Sequence, residues 1–348
     1  MELAAIFERH REHFLSRYGK TLTSDQRSAF HAITGCRTGQ YGELLLTCQG
    51  CHHHGTRYRS CGHRSCNQCQ HQSTQAWLDR QQQKLIPVNY YLVTFTLPYE
   101  LRQLARAHSR TAYTLLIQCA VATFKRFGLN QKDLSAELGM CAVLHTHTRR
   151  LDYHPHVHIV VPGGGVNRSR REWRKLQGDY LFNGRALAAA FRGALLHALA
   201  GAGLTLPTTP KRWIVQCQKV GRGLQALRYL SRYLYKGVIS NRNLVADTGT
   251  HVTFRFRDSK TNAFHTRTLP SEEFIALVLQ HVLPKGFRRA RDYGFLHGNA
   301  KVLLHIVQWV LGVQRPTLSE PEKAHFVCPH CQSEMHVCGF RAARQKPG

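Results

Sequence analysis

The sequence predicts an α+β fold: a mainly antiparallel sheet flanked by helices, with a cysteine-rich module before it and a small cysteine knuckle after it. Three observations carry this expectation. Apolar periods of about two and about 3.6 residues alternate from residue 86 onward in the order β-α-β-β-α-β-α. Residues 36–71 are dense in Cys, His, Gly and Arg and nearly lack an apolar period, so they need a staple other than a core. From about residue 316 the chain carries Pro316, Pro321 and a second group of cysteines. The domain boundaries expected are therefore 1–85, 86–315 and 316–348.

Residues 1–33 carry a weak helical pattern, and 73–86 read as a helix. Tyr90 to Leu97 alternate as a strand stopped by Pro98, and one long helix is expected over about 101–127. Residues 139–147 read as a strand joined through Arg149, Arg150 and Asp152 to a second strand at 154–161, a hairpin ended by Gly163 to Gly165. A basic loop follows, then a helix over about 185–202, a strand at 212–218 and a helix at 223–236. A further hairpin at 251–268 precedes a helix at 271–282.

Charge is the first functional clue. The 348 residues include 48 Lys+Arg against 20 Asp+Glu, a net charge of +28, and 35 of the cations are Arg. Guanidinium groups suit bidentate phosphate contacts, and so large an imbalance is relieved by a polyanionic partner. Nucleic acid is the leading candidate, ahead of an anionic membrane surface, since no basic amphipathic helix stands out. No apolar run reaches the ~18 residues needed to span a bilayer. The first residues, with Glu2, Glu8 and Arg9, lack the order of a signal peptide. A cytoplasmic location is expected, and in that compartment twelve cysteines favour metal over disulfides.

Cys48-x2-Cys51 and Cys66-x2-Cys69 are two knuckles whose spacing suits one tetrahedral zinc ion. Cys36 and Cys61 are further candidates for a second site or for exchange with the first, as are His53 and His63. Cys328-Pro329-His330-Cys331 is half of a similar site, with His336 and Cys338 as candidate partners. Arg57, Arg59 and Arg64, interleaved with the first group, suggest contact with DNA.

On a strand, His156 and His158 point to the same side, a good arrangement for a divalent metal. The middle of the chain has no cluster of carboxylates, so a nuclease working through three acids and two metals fits poorly. At about 100° per residue, the helix at 223–236 gathers Gln225, Tyr229, Arg232, Tyr233 and Lys236 on one face, and turns Tyr235 about 120° away. Leu224, Leu227, Leu230 and Leu234 supply its apolar packing. A phenol with a pKa near ~10 needs a nearby cation or a metal-polarised target. Arg232 and Lys236 offer the first; a metal on His156 and His158, with Gln225 as the third ligand expected from helical geometry, offers the second. His154, Gln216 and Gln218 are the next candidates for that third place.

These residues resemble the HUH superfamily of single-strand endonucleases, and within it the two-tyrosine rolling-circle transposases of the insertion-sequence-91 type. The resemblance covers most of the chain. It rests on Cys36-Arg37-Thr38-Gly39, Thr94-Phe95-Thr96-Leu97-Pro98, His154-Pro155-His156-Val157-His158, Tyr229-Leu230-Ser231-Arg232-Tyr233 and Leu283-Pro284-Lys285-Gly286-Phe287. It implies an HUH endonuclease-like fold, metal-binding His156 and His158, nucleophilic Tyr229 and Tyr233, a Mg²⁺ or Mn²⁺ cofactor, a structural Zn²⁺ and a 5′-phosphotyrosine intermediate. It also implies single-stranded DNA and hairpin-bearing element ends as partners. One departure is Cys66-Asn67-Gln68-Cys69, where the family usually has Cys-Pro-x-Cys; the ligands are kept and the turn is altered.

Arg168, Arg170, Arg171, Arg174 and Lys175, with Arg288, Arg289 and Arg291, are the residues expected to hold the DNA backbone. Two other functions fit parts of the pattern. A rolling-circle replication initiator or relaxase would use the same tyrosine chemistry, and a neighbouring replication origin would favour it. A non-catalytic zinc-containing DNA-binding protein would bind DNA in a salt-sensitive way that ignores Tyr229→Phe.

Overall fold

A computed structural model describes residues 1–69, 71–131, 134–176, 181–234, 238–258, 261–314 and 325–343. In chain order the elements begin with α1 (Leu3–Arg9), α2 (Arg11–Tyr18), α3 (Ser24–Thr34), β1 (Glu43–Cys48), β2 (His54–Tyr58) and α4 (His71–Gln82). There follow β3 (Tyr90–Thr96), α5 (Arg102–Ala107), α6 (Ser109–Asn130), β4 (Met140–His147), β5 (Tyr153–Pro162), β6 (Gly164–Asn167) and β7 (Glu172–Lys175). Then come α7 (Gly184–Gly201), β8 (Val215–Lys219), α8 (Leu224–Leu234), β9 (Leu244–Asp247), β10 (His251–Arg257), β11 (Phe264–Pro270) and α9 (Ser271–Leu279). The last are β12 (Ala290–Tyr293), α10 (Lys301–Val310), β13 (Phe326–Val327) and β14 (Glu334–Arg341). The class is the mixed helix and antiparallel-sheet fold the sequence predicts.

These elements form two compact units, and the units interleave along the chain. One comprises Met1–Ala76, Tyr235–Val282 and Leu318–Gly348; the other comprises Trp77–Leu234 and Leu283–Thr317. These units have other bounds than the serial divisions expected at 85 and 315. In particular, the C-terminal knuckle is no separate module: β14 pairs antiparallel with β1 in a sheet of order β13-β14-β1-β2.

The second unit is built on a five-stranded antiparallel sheet of order β12-β4-β5-β3-β8. Strand parity sorts its residues. Tyr91, Val93 and Phe95 of β3, Met140, Ala142 and Leu144 of β4, and Val157, Ile159 and Val161 of β5 join the main core. Leu116, Ile117, Ala120 and Phe124 of α6 and Leu187, Phe191 and Leu195 of α7 cover that face. At about 25 cal/mol per Å² of apolar surface, this burial is the main force holding the sheet. The alternate residues, Thr94, Cys141, His145, His156 and His158, share the opposite face. Two expectations change in detail. The helix at 101–127 is two helices, broken at His108, whose φ of −119° and ψ of 47° are not helical. The basic loop at 168–175 is the turn and second strand of the β6–β7 hairpin, in which Gly164 lies so close to Trp173 that an added Cβ would approach its ring to 2.4 Å.

In the first unit Phe7, Phe14 and Phe30 stack between the N-terminal helices, and α3 starts on a capping box of Thr23 and Gln26. A three-stranded sheet of order β11-β10-β9 rests one face on α9 through Phe254 and Phe274.

Candidate functional site

The hairpin register brings three imidazoles together. His145 of β4 stands opposite His156 of β5, and His158 follows on the same face. Ring centroids lie 5.2 Å apart for His145 and His156, 4.5 Å for His145 and His158, and 4.7 Å for His156 and His158. One nitrogen from each lies within 4.8 Å of the other two, and all three rings are buried.

Their partners dictate which nitrogen faces inward. The Nδ1–H of His156 donates to the backbone oxygen of His154 at 2.6 Å, because a carbonyl can only accept. The lone pair therefore sits on Nε2. Nδ1 of His158 is bonded to Thr94 Oγ1 at 2.8 Å, and its buried Nε2 has no hydrogen-bond partner among the described residues. A buried nitrogen left in this state costs about 1–3 kcal/mol. Burial pushes His156 down to about 4; burial, then the adjacent His156, lowers His158. For His145 burial again leads, followed by His158, His156, His147 and Arg289. Three buried, neutral imidazoles, two of them held by hydrogen bonds at the far ring nitrogen, make a metal-binding set that fits a divalent ion. Among the described residues no carboxylate joins this group, so its donors are imidazole nitrogens alone.

Tyr229 of α8 reaches this cluster. Its ring centroid is 5.9 Å from that of His158 and 6.4 Å from that of His145. Ala226, Leu227 and Leu230 are buried and anchor the helix. Gly223 precedes α8 with φ of +85°, and a Cβ there would come within 2.7 Å of the Tyr90 ring, so the entry into the helix requires glycine. Tyr233 and Arg232 continue α8 one turn on, with side chains outside the described residues; Tyr235 and Lys236 also lie outside them. Gln225, the third ligand expected from helical geometry, is exposed, while His145 joins His156 and His158 in a group that could hold an ion. A helical wheel orders residues around an axis but does not say where the sheet lies. The signal for His145 was the hairpin itself: folding 139–147 back on 154–161 pairs it with His156.

Two cations lie near the imidazoles. Arg102 hydrogen-bonds His154 Nδ1, and Arg289 is one of the charges that disfavour protonation of His145. Arg289 thus stands near the cluster itself. Arg288 is exposed, whereas Arg291 is half-buried with its guanidinium 5.3 Å from the centroid of Phe287. Arg168, Arg170, Arg171 and Lys175 are exposed; Arg168 pairs with Glu137 and Arg174 with Glu172.

The cysteines of the first unit form two tetrads, which corrects the pairing of the two knuckles on one ion. Cys66 and Cys69 meet Cys36 and Cys61; Cys48 and Cys51 meet Cys328 and Cys331. Sulfur separations are 3.3 Å for Cys36–Cys69, 3.5 Å for Cys61–Cys69, 3.4 Å for Cys48–Cys331 and 3.6 Å for Cys51–Cys328. A tetrahedron with Zn–S bonds of about 2.3 Å has edges of about 3.8 Å, while a disulfide would need about 2.0 Å. Burial pushes the Cys36 thiol up to about 12, so a set of thiolates there requires a cation. Both tetrads fit zinc.

Residues 6–97 match the transposase zinc-binding domain Zn_Tnp_IS91, and residues 139–302 match the family Y2_Tnp, described as "Putative transposase". "Putative transposase y4qJ" of Sinorhizobium fredii (strain NBRC 101917 / NGR234) is 32% identical over 347 residues, covering 92% of this chain and 87% of the relative. The transposase for insertion sequence element IS801 of Pseudomonas savastanoi pv. phaseolicola is 31% identical over 291 residues, covering 76% of this chain and 68% of the relative. Among solved structures, the conjugative relaxase TrwC in complex with OriT DNA aligns over 65% of this chain and 73% of its own, with TM-score 0.30 and 16% identity. By these matches and coverages, the chain belongs to the family of insertion-sequence-91-type transposases that carry an N-terminal zinc-binding domain.

Proposed function

We propose that this transposase cuts and rejoins single-stranded DNA through a 5′-phosphotyrosine, with Tyr229 and Tyr233 as nucleophiles and His145, His156 and His158 as ligands of a divalent metal. The observation that carries the reading is the approach of the Tyr229 ring to within 5.9 Å of the ring of His158, whose inward nitrogen has no hydrogen-bond partner among the described residues. A metal held there supplies Lewis acidity toward a non-bridging phosphate oxygen. The Tyr229 oxygen attacks phosphorus as the P–O3′ bond breaks, the phenolic proton is lost to solvent, and the 3′-oxygen leaves and takes up a proton. The phosphodiester is conserved as a tyrosyl ester, so the reverse attack by a 3′-hydroxyl reseals a strand without ATP. Arg289 and Arg102, both beside the histidines, add positive charge for the phosphate. Tyr233, one turn along α8, would serve a second strand before the first is released.

The partners proposed are single-stranded DNA and hairpin-bearing element ends, and the activity is rolling-circle movement of an insertion sequence. The location proposed with this activity is the cytoplasm, in association with the nucleoid. No helix among the described residues is long and apolar enough to cross a membrane.

The test uses a labelled single-stranded oligonucleotide carrying an element end, with Mn²⁺. The protein should form an SDS-resistant adduct with the new 5′ end created at the nick. Tyr229→Phe with Tyr233→Phe should abolish it, His156→Ala should reduce it severely, and Tyr235→Phe should change little. An adduct that survives the double substitution refutes the choice of nucleophiles.

A further inference from the structure

The outer face of the β10–β11 hairpin has no place in the chemistry above. Register and parity define it: Thr253, Arg255 and Arg257 of β10 stand opposite Thr268, Thr266 and Phe264 of β11. The hydroxyls of Thr253 and Thr268 meet at 2.8 Å, which places them on one side. The other side carries Val252 and Phe254, both buried, with Phe254 packed on α9. The solvent side exposes Phe264, 64% accessible, with the guanidinium carbons of Arg255 and Arg257 at 5.4 and 5.9 Å from its ring centroid.

A single exposed apolar side chain needs no explanation. This one stands in a different setting. β10 and β11 together carry three arginines and two histidines and no carboxylate. In the connection between them, Asp258 turns its Oδ1 to the backbone N–H and hydroxyl of Thr261, at 2.9 and 3.3 Å. The face lacks the aliphatic side chains a protein partner would bury. What it offers is a π surface with adjacent guanidinium groups and threonine hydroxyls, the chemistry that takes an unpaired base by stacking and its phosphates by charge-assisted hydrogen bonds. A paired duplex hides its base faces and would use only the arginines.

We propose that this face is a stacking platform for single-stranded DNA, with Phe264 receiving a base and Arg255 and Arg257 the flanking phosphates. It extends the DNA-partner reading of the preceding subsection to a surface outside the catalytic unit, and its test does not depend on cleavage. Binding of the full chain to a fluorescein-labelled oligothymidine and to a hairpin duplex is measured by anisotropy, without divalent metal and in the Tyr229→Phe background. An aromatic–base stack corresponds to about a 5- to 150-fold affinity change, so Phe264→Ala should weaken oligothymidine binding by that order while leaving its salt slope and duplex binding unchanged. Phe264→Trp should restore binding. Arg255→Gln with Arg257→Gln should lower the slope of log K against log salt by about 1.4 for the single strand. Each variant must keep the parent's melting temperature and zinc content; Phe264→Trp keeps the test available if Phe264→Ala does not fold. Unchanged oligothymidine binding in Phe264→Ala, failure of Trp to rescue a folded Ala variant, or equal losses for duplex and single strand would overturn the platform. Absence of a tyrosyl adduct, by contrast, would bear only on the proposed cleavage.

Discussion

Replacing Cys328 and Cys331 by Ser tests the cysteine geometry most directly. Their tetrad joins residues 283 positions apart, Cys48 and Cys331, and so ties β14 to β1. Closing a loop of that length costs roughly 5 kcal/mol in chain entropy. Beyond the cysteines, the buried apolar residues at this junction are Leu46 and Met335, worth about 3–6 kcal/mol together. Packing therefore does little more than offset closure. A structural zinc contributes about 10–16 kcal/mol, and it is this term that should keep the strand docked. The double variant should fall from about two zinc ions per chain to about one, read by mass spectrometry of metal content. Amide hydrogens of β14 should exchange much faster, while those of α3, whose end leads to Cys36 of the other tetrad, stay protected. Retention of two ions, or a parent protein holding a single ion lost on mutating Cys66, would refute the two-tetrad arrangement.

Two further outcomes follow from the side chains. His145→Ala should lower Mn²⁺ affinity by at least tenfold in isothermal titration, as loss of one of three ligands requires, while Gln225→Ala should leave it unchanged; the reverse result would restore Gln225 as the third ligand. Asp247, whose Oδ1 lies 3.1 Å from His10 Nε2, is held below its ordinary 3.8: desolvation pushes it up, and the Gly249 N–H, then His10 and Arg9, outweigh that. A depressed carboxylate contributes stability above about pH 3.8 that is lost as pH falls through the lowered value. The parent's melting temperature should therefore drop in that acid range and the drop should be smaller in Asp247→Asn, which the same pH series checks; parallel profiles would deny the linkage.

Local periodicity reported a good deal about this protein. Alternation placed His156 and His158 on one side of a strand, and the helical repeat placed Tyr229 on a helix packed through Leu227 and Leu230, because both periods are properties of the backbone alone. The net charge announced a polyanionic partner for the same reason: it is a sum, indifferent to folding. Residues paired across long stretches of chain were another matter. Which cysteines share an ion depends on β14 returning to β1, and spacing within a knuckle carries no information about a partner nearly 300 residues away. The third imidazole depended on register, where a shift of one residue would have turned His145 into the core. The approach of Tyr229 to the imidazoles was decided only when α8 met the second face of the sheet, since contacts between elements are set by packing and not by either element's own repeat.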